Sequence, residues 1–425
     1  MFRLRFACAT VVFSAAMTGQ PAVVRADVVL DWNVIALRTT AAAPFNPPLE
    51  TRNLAIVHAA MFDAVNSITR EFRPYAVTRR APAGASPEAA AIAAAHAALL
   101  RLYPEQQSMV DAAYNESIAR IHAGPGKASG IDVGNAVAGR ILAMRASDGA
   151  AAAVGAGYTP GERPGDWMPT PPGFLPALDP GWGSVQPFFL RHGAQFRPGP
   201  PPALKSMRYS RDFDEIRAIG SIGSVTRTQD QSDLARFWIA TAAQNWNPVA
   251  RQVGVAQGRT LSQNARALAL LNLAGADAFI AAWDAKFAYN QWRPVTAIRA
   301  ADTDRNPATD ADPWWTPLLV TPSFPDYIAG HTTYAGAAQR VLEHVFGKHP
   351  GAVMTLTSVT APGVVETYTT FKEIADGVVD ARVWGGIHWR TSSVRGRTVG
   401  EEIGRYVVGR FLEARDDDDG RDQRP

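Results

Sequence analysis

The chain has 425 residues, 47% of them hydrophobic and 19% charged, with a formal net charge of +3 at pH 7. That balance supplies no basic stripe for nucleic acid, and the length suits one large domain or two ordinary ones. Its single cysteine, Cys8, falls in an N-terminal leader, which excludes disulfides, zinc–thiolate centres and cysteine nucleophiles from the mature chain.

Residues 1–5 are short and basic, residues 6–17 apolar, and Val24-Arg25-Ala26 offers a small-residue cleavage site. This is the layout of a secretory signal peptide over residues 1–26, so the mature protein is expected to be secreted or periplasmic. No later run is an uninterrupted apolar stretch of membrane-spanning length.

Leu54, Val57, Met61, Ala64 and Ile68 recur at three-to-four spacing and predict a core-facing helix. Ser86-Pro87-Glu88 is a helix start, with serine as cap and proline in the first turn. The alanine-rich helix that follows should stop before Pro104, and another should cover residues 111–121 up to the Gly124-Pro125-Gly126 break. Residues 155–202 turn to proline, glycine and aromatics. True linkers are polar, so this content predicts a long ordered excursion over a helical body. Helical pattern resumes over 232–247 and 262–291. Further helices are expected from just after His331 to about Phe346, over 372–389 with a possible break, and over 401–412. Strand-like alternation is scarce. The fold class is therefore all-α: one helical bundle over residues 27–415 with long Pro/Gly-rich ordered loops. A disordered charged tail over 416–425 completes the chain.

Three C-terminal fragments carry the chemistry. Lys286 and Arg293 are seven residues apart, close to two helical turns, so on one helix they leave nearly the same face, with Pro294 as its stop. Ala329-Gly330-His331 reads as a turn delivering a helix N-terminus, where free amides and the dipole favour an anion. Arg382 and His388 are six apart, which pure helix would point in different directions; Gly385-Gly386 permits a distortion that aims both inward, and ordinary helix with a Trp384/Trp389 packing face is the other reading of the same residues. Three fixed cations and two imidazoles can neutralise and bond a tetrahedral oxyanion while one imidazole moves protons. His58 and His96 lie in apolar helices and read as hydrogen-bonded core or boundary residues. No serine nucleophile elbow is present, and Gly124-Pro125-Gly126-Lys127 lacks the rest of a phosphate loop.

In order, the fragments resemble the superfamily that joins vanadium-dependent haloperoxidases with type 2 phosphatidic acid phosphatases, whose pattern is K-x6-R-P, P-S-G-H and S-R-x5-H. The longer bacterial haloperoxidase-like branch is most similar, since Asp31-Trp32-Asn33, the segment from His58 to Asn66, Trp283-Asp284-Ala285-Lys286 and Phe324-Pro325-Asp326-Tyr327 also match it. The resemblance implies that Lys286, Arg293 and Arg382 hold the oxygens of vanadate, with the Gly330 amide as a further donor. It implies His388 as the residue bonded to vanadium, or the phosphate-attacking nucleophile of an exported phosphatase, and His331 as the acid/base. Lys286 would also polarise bound peroxide, and Trp283, Pro322 and Phe324 match halide-pocket positions. Phosphate can occupy the same site, so the implied substrates are hydrogen peroxide and a halide, or a phosphate ester. Two departures stand out: Ala329 replaces the motif serine, and Ser392 stands where phosphatases carry an aspartate that orients a catalytic imidazole. A catalytically weak oxyanion binder is the third reading. Apolar helical surface leaves homo-oligomer formation open.

Overall fold

The computed structural model describes residues 27–415, so the leader over 1–26 and the tail over 416–425 lie outside the described residues. Among the described residues the chain forms α1 (Val28–Ala41), α2 (Pro47–Thr69), α3 (Pro87–Leu102), α4 (Gln107–Ala119), α5 (Pro125–Arg145) and the single turn α6 (Ala150–Ala153). After the excursion come α7 (Met207–Ile219), α8 (Gln229–Phe237), α9 (Ala242–Ala256), α10 (Leu261–Tyr289) and α11 (Pro294–Arg299). The C-terminal part holds α12 (Gly330–Phe346), the strands β1 (Met354–Thr357) and β2 (Val365–Tyr368), α13 (Phe371–Trp384) and α14 (Arg390–Val408). The two strands pair antiparallel, and the fold is all-α apart from this small hairpin.

Local chemistry sets many helix starts. Asp27 caps α1 by accepting from the Val29 and Leu30 amides, and Ser86 caps α3 ahead of Pro87. Reciprocal capping boxes open α8 (Thr228/Gln231), α10 (Thr260/Gln263) and α13 (Thr370/Glu373).

Helix α10 is the axis of the molecule. It is apolar and long enough to cross a membrane by length and composition, yet its most apolar stretch is almost wholly buried inside the protein. It packs on α2 on one side and α12 on the other, joining the N-terminal helices to the C-terminal group α12–α14. A buried polar chain threads the first of these contacts. Asn33 of α1 donates to Asn247 of α9 (2.7 Å) and lies 2.9 Å from His58 Nε2 of α2, while Asn247 and Asn272 of α10 exchange hydrogen bonds. His58 is thus a buried core residue hydrogen-bonded through Nε2, and His96 is paired with Asp111 and stacked on Tyr114.

Helices α12 and α14 meet at backbone distance. A Cβ at Gly336 would strike the Arg397 carbonyl, and one at Gly400 would strike the Thr333 carbonyl. This seam fixes the N-terminus of α14, beside His388, against that of α12, which carries His331.

The excursion over 155–202 is ordered. The Asp277 carboxylate of α10 accepts the amides of Phe188, Phe189 and Leu190 (2.7, 2.8 and 2.9 Å), clasping the segment to the core. Several sequence expectations need correction. The stretch 232–247 is two helices, because Thr241 caps a fresh start at Ala242 and the chain is non-helical over 238–241. The last helix begins at Arg390 and ends at Val408 rather than spanning 401–412. Helices α1, α5 and α7 were not anticipated.

Candidate active site

Lys286 and Arg293 do converge, but not as two turns of one helix. Helix α10 ends at Tyr289, where Asn290 adopts the left-handed conformation (φ 50°), and Arg293 is the cap residue of the next helix. Pro294 starts α11 instead of stopping α10, since its fixed φ and missing N–H suit a first helical position. Both cations are fully buried and both are held by carbonyls of the segment before α12. Lys286 Nζ donates to the carbonyls of Pro325 and Asp326 (2.9 Å each). Arg293 Nε donates to Phe324 O (2.6 Å) and Nη1 to Ile387 O (2.6 Å).

Of the two readings of the Gly385-Gly386 segment, the structure shows the distortion. Helix α13 stops at Trp384, Gly386 has φ +74°, and the amides of Ile387 and His388 both turn back to the Arg382 carbonyl (3.3 Å each). Arg382 and His388 are thereby both buried. Arg382 Nη1 donates to Trp238 O (2.7 Å), and His388 Nε2 lies 3.1 Å from Arg293 Nη1.

Helix α12 begins at Gly330, which puts the Gly330 and His331 amides in its first turn, where helical N–H groups lack intrahelical acceptors. Glycine lets the turn pack closely there, because a Cβ would lie 3.2 Å from the Trp283 indole. Ala329 occupies the cap position and supplies no side-chain bond. His331 is half-buried, and its Nε2 is 3.1 Å from the Ala240 carbonyl. A carbonyl only accepts, so Nε2 carries the proton and Nδ1 is the lone-pair nitrogen of the neutral ring.

Trp283 and Phe324 form an aromatic wall beside the cations. Their rings are 4.9 Å apart, Trp283 stacks on Phe279, and Phe324 lies under Lys286 (4.8 Å) and Arg293 (4.7 Å). Trp283 Nε1 donates to Leu178 O of the excursion (3.1 Å), and the Leu178 amide donates to Ser323 O (2.8 Å). Pro322 is half-buried in the same segment, its carbonyl accepting from the Phe324 amide (2.9 Å).

Burial of so much positive charge leaves a clear electrostatic signature. Burial, reinforced by Arg293, holds the Lys286 ammonium well below its ordinary range. Burial pushes Arg293 down to about 10 and, with Arg293 beside it, Arg382 down to about 9. Both imidazoles are held well below 6.5, first by burial and then by Arg382 at His331 and by Arg293 at His388. Against these cations stands the carboxylate of Asp326, fully buried, with Oδ2 3.2 Å from His388 Nδ1 and 3.9 Å from Arg293 Nη1. Two donors, Arg293 Nη2 and Arg382 Nε, are buried without a hydrogen-bond partner among the described residues. Buried donors of fixed positive charge with nothing to bond fit an oxyanion, vanadate or phosphate alike.

Sequence reasoning found five of the polar groups and missed three others. Asp326 was noted only as part of a matching segment. The carbonyls of Trp238 and Ala240, which fix Arg382 and His331, come from the break between α8 and α9. No sequence signal marks them, because any residue there presents a carbonyl.

Fold and site together define an all-helical protein with a buried cationic pocket, two imidazoles and an aromatic wall. Residues 266–417 match the family model described as the VCPO second helical-bundle domain. The vanadium chloroperoxidase of Curvularia inaequalis is 23% identical over 415 residues, covering 78% of this chain and 68% of that one. The structure of the first bacterial vanadium-dependent iodoperoxidase superposes with a TM-score of 0.79 at 25% identity, covering 92% of this chain and 97% of that one. A holo-type bacterial vanadium-dependent chloroperoxidase shares the fold, with a TM-score of 0.69 at 20% identity over 92% of this chain and 94% of that one. The C-terminal part of the chain thus matches the second helical-bundle domain of that family, and the fold as a whole is similar to that of bacterial vanadium-dependent haloperoxidases, which are enzymes.

Proposed function

We propose that this protein is a vanadate-dependent haloperoxidase that oxidises a halide with hydrogen peroxide. The observation that carries this reading is the buried cluster of Lys286, Arg293 and Arg382 with two unpartnered guanidinium donors, next to two neutral imidazoles and the Trp283/Phe324 wall. In this reading Lys286, Arg293, Arg382 and the Gly330 amide hold the oxyanion, and His388 bonds its central atom. When bound, vanadate supplies the Lewis acidity that activates hydrogen peroxide toward a halide. The overall reaction consumes one halide, one peroxide and one proton, and gives a hypohalous acid and water.

The residues' own tasks follow from their surroundings. An anion offsets the fields of Arg382 and Lys286 that keep His331 neutral, so its binding raises the proton affinity of that ring. His331 then takes a proton at Nδ1 while Nε2–H stays on the Ala240 carbonyl. Lys286, tied to two carbonyls, stays in place to polarise an oxygen rather than swing toward solvent. Trp283, Phe324 and Pro322 exclude water from the side on which a halide would approach.

One observation favours a second reading, an exported phosphatase acting through a phospho-His388: the Asp326 carboxylate beside His388 supplies the partner missing at Ser392. Purified protein assayed for bromination of a dimedone-type acceptor with vanadate and peroxide, and for aryl-phosphate hydrolysis without vanadate, separates the two. Bromination that His388→Ala abolishes supports the first. No bromination at saturating vanadate sinks it. Phosphate release dependent on His388 supports the second, and anion binding without either activity leaves a weak oxyanion binder. Export of the mature chain completes the proposal and rests on residues 1–26 alone; N-terminal sequencing of secreted protein beginning at Asp27 tests it.

A further inference from the structure

We propose that Asp326 is the positioning residue of His388, holding the ring in its Nδ1–H tautomer so that Nε2 is the lone-pair nitrogen. A neutral imidazole carries one proton, and the two groups flanking this ring place it from opposite sides. Asp326 Oδ2, an acceptor, lies 3.2 Å from Nδ1. Arg293 Nη1, a donor that cannot accept, lies 3.1 Å from Nε2 and farther, 3.4 Å, from Nδ1. The proton therefore sits on Nδ1, and Nε2 has its lone pair turned toward the guanidinium that lines the pocket.

The carboxylate is itself held. The Asp326 amide donates to Gln291 O (2.9 Å), and its carbonyl accepts from Lys286 Nζ (2.9 Å) and from Ser392 Oγ (3.1 Å). Neither carboxylate oxygen makes an aligned hydrogen bond among the described residues: the approaches to His388 Nδ1 and Arg293 are ion-pair distances, with Ser392 and the Trp389 amide also facing the carboxyl, and the side chain is fully buried. A buried carboxylate is costly unless paired, so its placement against one ring nitrogen and one guanidinium needs a role. Ser392 does not replace the absent carboxylate. It secures the main chain of the residue that supplies one from a different part of the sequence.

Only the consequence of this assignment, that His388 bonds an oxyanion through Nε2, rests on the proposed function. The tautomer belongs to the protein without any anion. The test is 15N NMR of histidine-labelled full chain in anion-free buffer at fixed neutral pH, with the His388 signals identified by their loss in His388→Gln. The expected result is a protonated Nδ1 in the wild type and in Asp326→Asn, whose side-chain oxygen still accepts. Asp326→Leu should move the proton to Nε2 and weaken the binding of inorganic phosphate, read by calorimetry, roughly tenfold or more. A wild-type proton on Nε2, or an unchanged tautomer in Asp326→Leu, overturns the assignment. Should the leucine variant fail to fold, the wild-type and asparagine spectra still decide it. Halogenation plays no part in the readout, so failure of the haloperoxidase reading would show separately.

Discussion

Replacing Arg382 with methionine should stabilise the fold and disable it as an anion receptor. Burial and the neighbouring Arg293 push this guanidinium from 12.5 down to about 9. At roughly 1.4 kcal/mol per pKa unit, that difference costs the folded state on the order of 4–5 kcal/mol. The folded value is the lower one, and pH 7 lies below both, so the group is charged folded and unfolded and the whole cost is expressed. It lessens only as pH rises beyond about 9. Methionine keeps the apolar stem but leaves the Trp238 carbonyl unpaired, a loss of about 1–3 kcal/mol. The balance is a gain of roughly 1–4 kcal/mol in anion-free buffer. For roughly 400 ordered residues, an unfolding entropy near 0.8 kcal/mol/K makes that a rise of about 1–5 °C in Tm. Phosphate at about 100 times its Kd should raise the wild-type Tm by about 3 °C through about 2.7 kcal/mol of linkage, and the variant's by far less. Scanning calorimetry across a phosphate series measures both effects. A variant that melts well below wild type without anion, or that keeps the full phosphate response, would refute the reasoning that Arg382 is held charged for a ligand.

Three further outcomes are expected. His58 Nε2 accepts from Asn33, and burial holds the ring down to about 3, so the unfolded chain takes up a proton first as pH falls below 6.5. Stability should therefore fall as pH drops from about 6.5 toward 3, and His58→Gln should reduce the slope by about 1.4 kcal/mol per unit in urea unfolding; an unchanged slope means the folded ring already protonates. Gly400→Ala should destabilise by about 3 kcal/mol in denaturant melts, because its Cβ meets the Thr333 carbonyl, whereas Gly199→Ala, with open space around it, should be neutral. Ala329→Ser restores a hydroxyl at the start of α12 and should tighten phosphate binding by roughly tenfold or more, from about 1.5–3 kcal/mol for a hydrogen bond to a charged group; equal affinity by calorimetry would show that position 329 faces away from the anion.

Helix existence was legible where periodicity and caps agreed, as at Ser86-Pro87 or over α10 and α12. It was obscured where an apolar run continued across a break. Residues 238–241 contain neither glycine nor proline, so nothing local announces that α8 ends and α9 starts afresh. At Pro294 the residue was read correctly as a boundary and wrongly as an end, because proline stops one helix and starts another with equal ease. The cations and imidazoles were legible because charge and side-chain chemistry are local properties. Asp326 was not, because its role depends on a distance between segments 62 residues apart, from position 326 to 388. The carbonyls that fix Arg382 and His331 lie beyond the reach of residue types altogether.

Leu178 has a consequence for how this enzyme can diverge. The excursion that contains it supplies none of the three cations and neither imidazole, yet its carbonyl holds the Trp283 indole and its amide holds the segment bearing Pro322 and Phe324. Insertions or substitutions there can tilt the aromatic wall while the charged cluster keeps its geometry. Under the proposed function, selectivity and anion capture are thus separable in inheritance, and a transplanted excursion from a relative should carry preference with it.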